Sequence, residues 1–171
     1  MPMYKALLSS LFLLFTATFA KAQSDSITTP SSIKTLTLKQ YADYKKGPSL
    51  ASMALPATMN RYPMPDDVLA LKKELRLTAE QLKKITEISK YLQLKKTEIG
   101  QSVLRNEKKL DDMFSTKKVD EGSITFYANR YGLYEGEYRT SVLLACYNTY
   151  NALTPQQTSR FWQLKKPYLP F

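Results

Sequence analysis

The 171-residue sequence contains no histidine and only one cysteine, Cys146. Imidazole is the usual base or ligand in serine, cysteine and zinc enzymes, so these mechanisms are not expected. One cysteine cannot form an internal disulfide. We interpret Cys146 as a small residue packed in a helix, with an intermolecular bridge as the alternative. Because Cys146 lies far from the N-terminus, a lipoprotein anchor is not expected either.

Phosphate-binding and acidic motifs are also scarce. The five glycines form no phosphate-binding loop. Adjacent acids occur only at Asp66-Asp67, Asp111-Asp112 and Asp120-Glu121, each near a predicted helix end or turn, where local electrostatics explains it. We therefore predict that the chain is not an enzyme and that it holds no cofactor and no metal.

The first apolar run, Ala6–Ala20, is too short to span a bilayer comfortably and has the pattern of a secretory signal. Lys5 precedes this run, and Ala20-Lys21-Ala22 at its end form a small-residue cleavage pattern. We predict a signal peptide over residues 1–22 and a soluble product outside the cytoplasm, with a membrane-retained start as the alternative. Removing residues 1–22 lowers the net charge from +10 to +8. This positive charge favours acidic or unfolded polypeptide, or an anionic envelope surface, as the partner. Nucleic acid is not expected as a partner, because the chain is predicted to be exported.

Two five-residue segments each predict the start of a helix, Leu77–Gln81 and Leu153–Gln157. In each, a threonine at the N-cap accepts a hydrogen bond from the amide three residues on, while the glutamine side chain reaches back to the threonine amide. Pro155 suits the first helical position of the second segment. Two such L-T-x-x-Q capping boxes, each joining one helix to another, are a more specific signal than one.

The pattern of apolar residues and helix breakers predicts four helices after residue 62. They run from Pro65 to about Leu75, from Thr78 to Ser115, from Ser123 to about Asn151, and from Thr154 to before Pro167. Residues 23–62 are predicted to be a mostly irregular arm with a short helix near Leu38–Lys45. An apolar cluster in this arm, which docks on the core or on a partner, comprises Leu50, Met53, Leu55 and Met59.

Both long helices carry apolar residues at alternating steps of three and four, which is typical of two antiparallel helices packed as a hairpin or coiled coil. The seam of the second long helix is rich in tyrosine, at Tyr127, Tyr131, Tyr134 and Tyr138, and these rings face either the hairpin partner or a second subunit. Glycines 100, 132 and 136 come at about one level, which predicts close approach or a bend there.

Opposite these seams, basic residues alternate with apolar and aromatic ones. Such a face is either the rest of the core, a dimer interface or a binding surface. We predict that it binds unfolded clients, because cations attract acidic chains and apolar positions hold exposed hydrophobic segments. The predicted client-binding residues are Lys84, Ile88, Tyr91, Lys95, Arg105, Lys109, Phe126, Arg130, Leu133, Leu144 and Tyr147.

From about Pro65 to Lys166 the chain resembles the Spy/CpxP family of periplasmic chaperones and stress-response proteins. The resemblance rests on the two L-T-x-x-Q boxes in a small, exported, helical, basic chain. It implies an all-α domain over residues 63–171, with two long antiparallel helices and two short ones in a thin curved hairpin, and an antiparallel dimeric cradle. The family motif positions, whose implied role is structural, are Leu77, Thr78, Gln81, Leu153, Thr154 and Gln157.

By this resemblance we predict a periplasmic, homodimeric, ATP-independent chaperone that binds unfolded or stressed envelope proteins. One alternative is an envelope-stress signalling adaptor that uses the same surface for one specific folded partner. A weaker alternative is a metal-responsive sensor, which the lack of histidine disfavours.

Overall fold

A computed structural model describes residues 31–47 and 50–165. The predicted signal peptide and the tail after Lys165 lie outside this part of the chain. The fold is all-α, as predicted, with two long helices and no β-strand among the described residues. The six described helices are α1 (Leu38–Lys46), α2 (Leu50–Met59), α3 (Pro65–Ala70), α4 (Ala79–Ser115), α5 (Glu121–Ala152) and α6 (Pro155–Leu164). Within residues 31–47 and 50–165, none of the helices is both long enough and apolar enough to cross a lipid bilayer.

The arm before residue 63 is more regular than the sequence predicted. The short helix expected near Leu38–Lys45 is present as α1, but α2 was not predicted, so the interpretation of the arm as mostly irregular is wrong for Leu50–Met59. Pro56 lies inside α2, where proline removes a helical hydrogen bond, and this signal argued against a helix. Tertiary packing of α2 outweighs that local penalty.

A third L-T-x-x-Q capping box, missed in the sequence, begins α1 at Leu36–Gln40. The Thr37 amide donates to Gln40 Oε1 at 2.9 Å, and the Gln40 amide donates to Thr37 Oγ1 at 3.2 Å. Upstream, the Ser31 amide donates to the Leu36 carbonyl at 2.9 Å and closes a turn. The L-T-x-x-Q pattern therefore marks a helix start at each of its three occurrences in this chain.

Helices α4 and α5 pack along each other as an antiparallel pair around the turn at residues 116–120. Three hydrogen bonds fix their register: Gln81 is level with Ala152, Lys95 with Glu137, and Asn106 with the Tyr127 carbonyl. The predicted seam of α4 is confirmed at its centre, where Ile85, Leu92, Ile99, Val103 and Asn106 are buried.

Helices α2 and α3 also pack against this pair. Ala54 of α2 is buried in the main core cluster and Met53 packs against it, whereas Met59 is exposed, so of the predicted apolar cluster Met53 is shown to dock on the core. The main core cluster comprises Ala54, Leu92, Ile99, Tyr138, Val142, Ala145 and Cys146. A second cluster, where α3 and α6 meet the start of α4, comprises Val68, Leu75, Ile85 and Phe161.

The ends of the helices differ from the predictions in two places. Helix α3 ends at Ala70, five residues before the predicted end at Leu75, and continues as turns. Helix α5 is capped by Asp120 and not by Ser123: the Asp120 carboxylate accepts the Ser123 amide at 2.7 Å. This hydrogen bond lowers the pKa of Asp120, because the bond stabilises the charged form.

Three turns at helix ends place a basic residue in the left-handed region: Arg61 (φ 64°), Arg76 (φ 50°) and Lys117 (φ 58°). The Lys117 amide donates to the Phe114 carbonyl at 3.2 Å, and the Lys118 amide donates to the Met113 carbonyl at 3.0 Å. These two hydrogen bonds form a Schellman motif at the end of α4. Glycine is the usual residue at this position, so lysine or arginine there does not predict a left-handed turn.

The predicted close approach at the helical glycines holds for one of the three. A Cβ atom on Gly100 would lie 2.1 Å from the Tyr44 carbonyl oxygen and 3.2 Å from Gly47 Cα. The residue that approaches Gly100 so closely is therefore in the arm and not in α5. No heavy atom lies within 4 Å of a Cβ added to Gly132 or Gly136, so close packing does not explain these two glycines.

Candidate functional site

The two predicted capping boxes are confirmed at the start of α4 and of α6. Thr78 Oγ1 accepts the Gln81 amide at 3.2 Å, and Gln81 Oε1 accepts the Thr78 amide at 3.1 Å. The Thr154 and Gln157 pair has the same geometry at 3.2 and 2.9 Å. Leu77 and Leu153, the first residues of the two motifs, are half-buried against the second core cluster.

The glutamines of these two boxes also bond to each other, which the sequence did not reveal. Gln81 Nε2 donates to Gln157 Oε1 at 2.8 Å, and Gln157 Nε2 donates to Gln81 Oε1 at 3.0 Å. Each Nε2 also donates to a backbone carbonyl, of Ala152 at 2.9 Å and of Leu75 at 3.2 Å respectively. Each amide group thus donates two hydrogen bonds and accepts two, and the pair fixes α4 against α6. Within the part of the chain that the structure describes, the Gln40 side chain bonds only to Thr37 of its own box.

Ten of the eleven predicted client-binding residues lie together on one face of the two long helices. We call it the open face. On α4 it comprises Lys84, Ile88, Tyr91, Lys95, Glu98, Ser102, Arg105 and Lys109; on α5 it comprises Phe126, Arg130, Leu133, Glu137, Thr140 and Leu144. Several of its apolar side chains are largely exposed, including Leu133 (70%), Tyr91 (58%) and Leu144 (52%). The role of these residues in binding stays a prediction.

Three adjoining grooves run along the open face, and Glu137 lines all of them. The proximal groove, nearer the paired glutamines, is lined by Ile88, Tyr91 and Leu144 together with charged and polar residues. The distal groove, nearer the turn at 116–120, has mainly polar and aromatic walls. These walls are Glu98, Ile99, Ser102, Arg105, Asn106, Lys109, Tyr127, Arg130, Tyr134 and Glu137. The outer groove lies along α5 between Phe126 and Thr140.

Lys95 links the two helices at the boundary between the proximal and distal grooves. Its Nζ lies 3.2 Å from Glu137 Oε1 and 3.2 Å from Glu98 Oε2. Hydrogen bonds to Glu137 and then Glu98 raise the pKa of Lys95, because both stabilise the ammonium form. The two carboxylates of the open face thus share one lysine, and the three groups together carry a net charge of −1.

Arg130 is held in place by two aromatic rings. Its guanidinium carbon lies 5.3 Å from the centre of the Phe126 ring and 5.5 Å from that of Tyr134, within the range of cation–π attraction. The guanidinium also donates to Tyr134 Oη, with 3.1 Å from Nε. A planar, pre-oriented guanidinium of this kind suits the bidentate binding of a carboxylate.

Tyr147 is the one predicted client-binding residue that lines none of the three grooves, although it is exposed. The structure adds Glu137, Tyr134 and Asn106 to the face. Glu137 follows the same steps of three and four as Arg130 and Leu133, so the sequence pattern could have identified it. Tyr134, which is predicted to lie in the seam, packs against the main core cluster and also lines the distal groove.

The expected packing role of Cys146 is supported by its environment. Its side chain is fully buried in the main core cluster, with Sγ 3.3 Å from Met64 Sδ. Burial, with a smaller contribution from Asp67, raises the pKa of the thiol to about 12. Among the described residues, no three His, Cys, Asp or Glu side chains come close enough to hold a metal ion.

The paired capping boxes and the open face are the features by which this chain could be compared with known proteins. No family model, curated protein or solved structure matches this chain. The resemblance to the Spy/CpxP family thus depends on the L-T-x-x-Q boxes and on the character of the chain.

Proposed function

We propose that this protein is an ATP-independent chaperone of the periplasm that binds unfolded or stressed envelope proteins on its open face. The observation that carries the proposal is the single surface on which exposed apolar side chains alternate with cations. Leu133, Tyr91 and Leu144 expose more than half of their surface there. Side chains of this kind are costly to leave in water, and a contiguous set of them indicates a surface that binds other molecules.

The chemistry of the open face suits weak capture of many chains more than tight binding of one. Its three grooves adjoin one another, and Glu137 lines all of them. Specific interfaces concentrate their affinity in a few deeply buried anchors. Apolar positions spread along two helices, with cations between them, instead allow an unfolded segment to bind in several registers. Nothing in this mode of binding requires nucleotide.

Export and self-association belong to the same proposal. The signal-like pattern of residues 1–22 would deliver the chain to the periplasm, where ATP is not expected to drive client release. A homodimer would double the client-binding surface and raise avidity, since two linked weak sites bind an extended chain more tightly than one.

The test is light scattering from a chemically unfolded model protein that aggregates on dilution, with and without residues 23–171 and without ATP. We expect suppression at near-equimolar ratio. Changing Lys84, Arg105 and Lys109 to Glu should weaken it; Lys95 is left unchanged because its ion pairs hold α4 to α5.

The matched control carries the same change of charge at three exposed lysines outside the grooves, Lys72, Lys83 and Lys90. It should suppress aggregation like the unmodified protein. A folded, helical protein that fails to suppress aggregation would refute the chaperone proposal. Equal loss in both variants would mean that net charge, and not the open face, is responsible.

A further inference from the structure

The charges of the open face are unevenly distributed along it. Glu98 and Glu137 are both engaged by Lys95 at the middle of the face. Arg105, Lys109 and Arg130, which line the distal groove, form no ion pair with any described carboxylate. The polar contacts of the two arginines are to hydroxyl groups, of Ser102 and Tyr134 respectively. The walls of the distal groove therefore carry three cations against two carboxylates, both already engaged by Lys95, and the groove is net positive.

The proximal groove has the opposite character. Ile88, Tyr91 and Leu144 form its apolar part, and its charged members include Glu87 as well as Lys84 and Lys95. An apolar side chain would find contacts there, while an anion would gain little from such balanced charge. The two grooves thus favour different chemical groups.

The separation of the two grooves sets a length. Ile88 and Arg105 lie on the same helix, so at about 1.5 Å per residue they are about 25 Å apart. An extended polypeptide covers this distance in about eight residues. A single short segment of a client can therefore occupy both grooves.

We propose, resting on the proposed chaperone function, that the open face selects bipartite client segments: an apolar stretch for the proximal groove and an acidic stretch about 25 Å away for the distal groove. The carboxylate lies against the guanidinium of Arg130, held between Phe126 and Tyr134, with Arg105 and Lys109 adding charge. The partner is defined by charge complementarity, because the distal groove is net positive, whereas the two lysines and two glutamates that line the proximal groove balance each other.

The experiment measures binding of fluorescent synthetic peptides to residues 23–171 by anisotropy at low salt. The first peptide joins Leu-Phe-Leu to Asp-Glu-Asp through about sixteen Gly and Ser residues, whose average span matches the distance between the grooves. The second has the same two blocks joined directly, so that its six residues extend to about 20 Å, less than the distance between the grooves. The third has the long linker of the first, with the acids replaced by Asn-Gln-Asn. We expect the first peptide to bind about tenfold more tightly than either of the others.

The variant Arg130→Gln should lose about tenfold in affinity for the first peptide and little for the third. The matched control is Arg139→Gln, an exposed arginine of α5 that lines none of the three grooves. It should bind all three peptides like the unmodified protein. Helical content measured by circular dichroism establishes that both variants are folded.

Equal binding of the first and second peptides, or an equal loss in Arg130→Gln and Arg139→Gln, would overturn the bipartite model. If aggregation is still suppressed in that case, the chaperone function stands without the selectivity. If no peptide binds and aggregation is not suppressed, both proposals fail together.

Discussion

Replacing Gln81 with alanine is expected to lower the free energy of unfolding by about 2–4 kcal/mol, because each net hydrogen bond contributes about 0.5–1.5 kcal/mol. The Gln81 side chain takes part in four hydrogen bonds: with the Thr78 amide, with the Ala152 carbonyl, and two with the Gln157 amide group. The site is half-buried, so water replaces these partners only in part. Thr78, Gln157 and the Ala152 carbonyl would all lose a partner at once.

A double-mutant cycle with Gln157→Ala isolates the contact between the two boxes. Both single variants lose the two amide–amide bonds, so the double variant should cost less than the sum of the single ones, by about 1–3 kcal/mol. Urea unfolding followed by circular dichroism gives each value. Gln156→Ala, which removes an exposed neighbour, serves as the control and should change stability by no more than about 0.5 kcal/mol. Additive losses would refute the claim that the paired glutamines join α4 to α6.

Three further changes test other parts of the structure by the same unfolding measurement. Lys117→Gly should raise stability by about 0.5–1 kcal/mol, because glycine adopts φ 58° without the steric cost, whereas Lys118→Gly should not; a lower stability for Lys117→Gly would contradict the turn. Asn106→Leu should stabilise by about 1 kcal/mol, since Asn106 Oδ1 is buried and no described residue hydrogen-bonds to it; a loss of stability would contradict this and show that the bond from Asn106 Nδ2 to the Tyr127 carbonyl matters more. Burial raises the pKa of Glu135, so its ionised form destabilises the folded state, and stability falls as pH rises through the folded pKa. Glu135→Gln should therefore be more stable than the unmodified protein at pH 7 and equal to it near pH 4, where the carboxyl of the unfolded chain is largely protonated; a constant difference would contradict this.

Local signals in the sequence predicted much of the fold. The capping boxes at Thr78 and Thr154 involve residues three apart, and the steps of three and four along α4 and α5 report the buried seam directly. The same steps predicted the composition of the open face, and ten of its eleven predicted residues line its grooves. The third box, at Thr37, has the same local pattern as the other two and is equally predictable from the sequence.

Interactions between residues distant in the sequence were not predictable in this way. The pairing of Gln81 with Gln157 depends on how the two helix joints meet, and the packing of α2 depends on a surface built from both long helices. Pro56 is a local signal against the helix α2. A lysine or arginine in the left-handed region cannot be told in the sequence from other lysines and arginines of the surface. In each case tertiary contacts decide the outcome, and local propensity does not record them.

Photo-crosslinking to an unfolded client tests the central claim most directly. A benzophenone side chain is placed at Leu133, which lines the outer groove and is 70% exposed, or at Leu94, which is 63% exposed and lines none of the three grooves. Similar exposure makes random collisions equally frequent at both positions. The open-face account predicts several-fold more cross-linked client from position 133, with the excess lost when folded client is used. Equal yields from the two positions would contradict it.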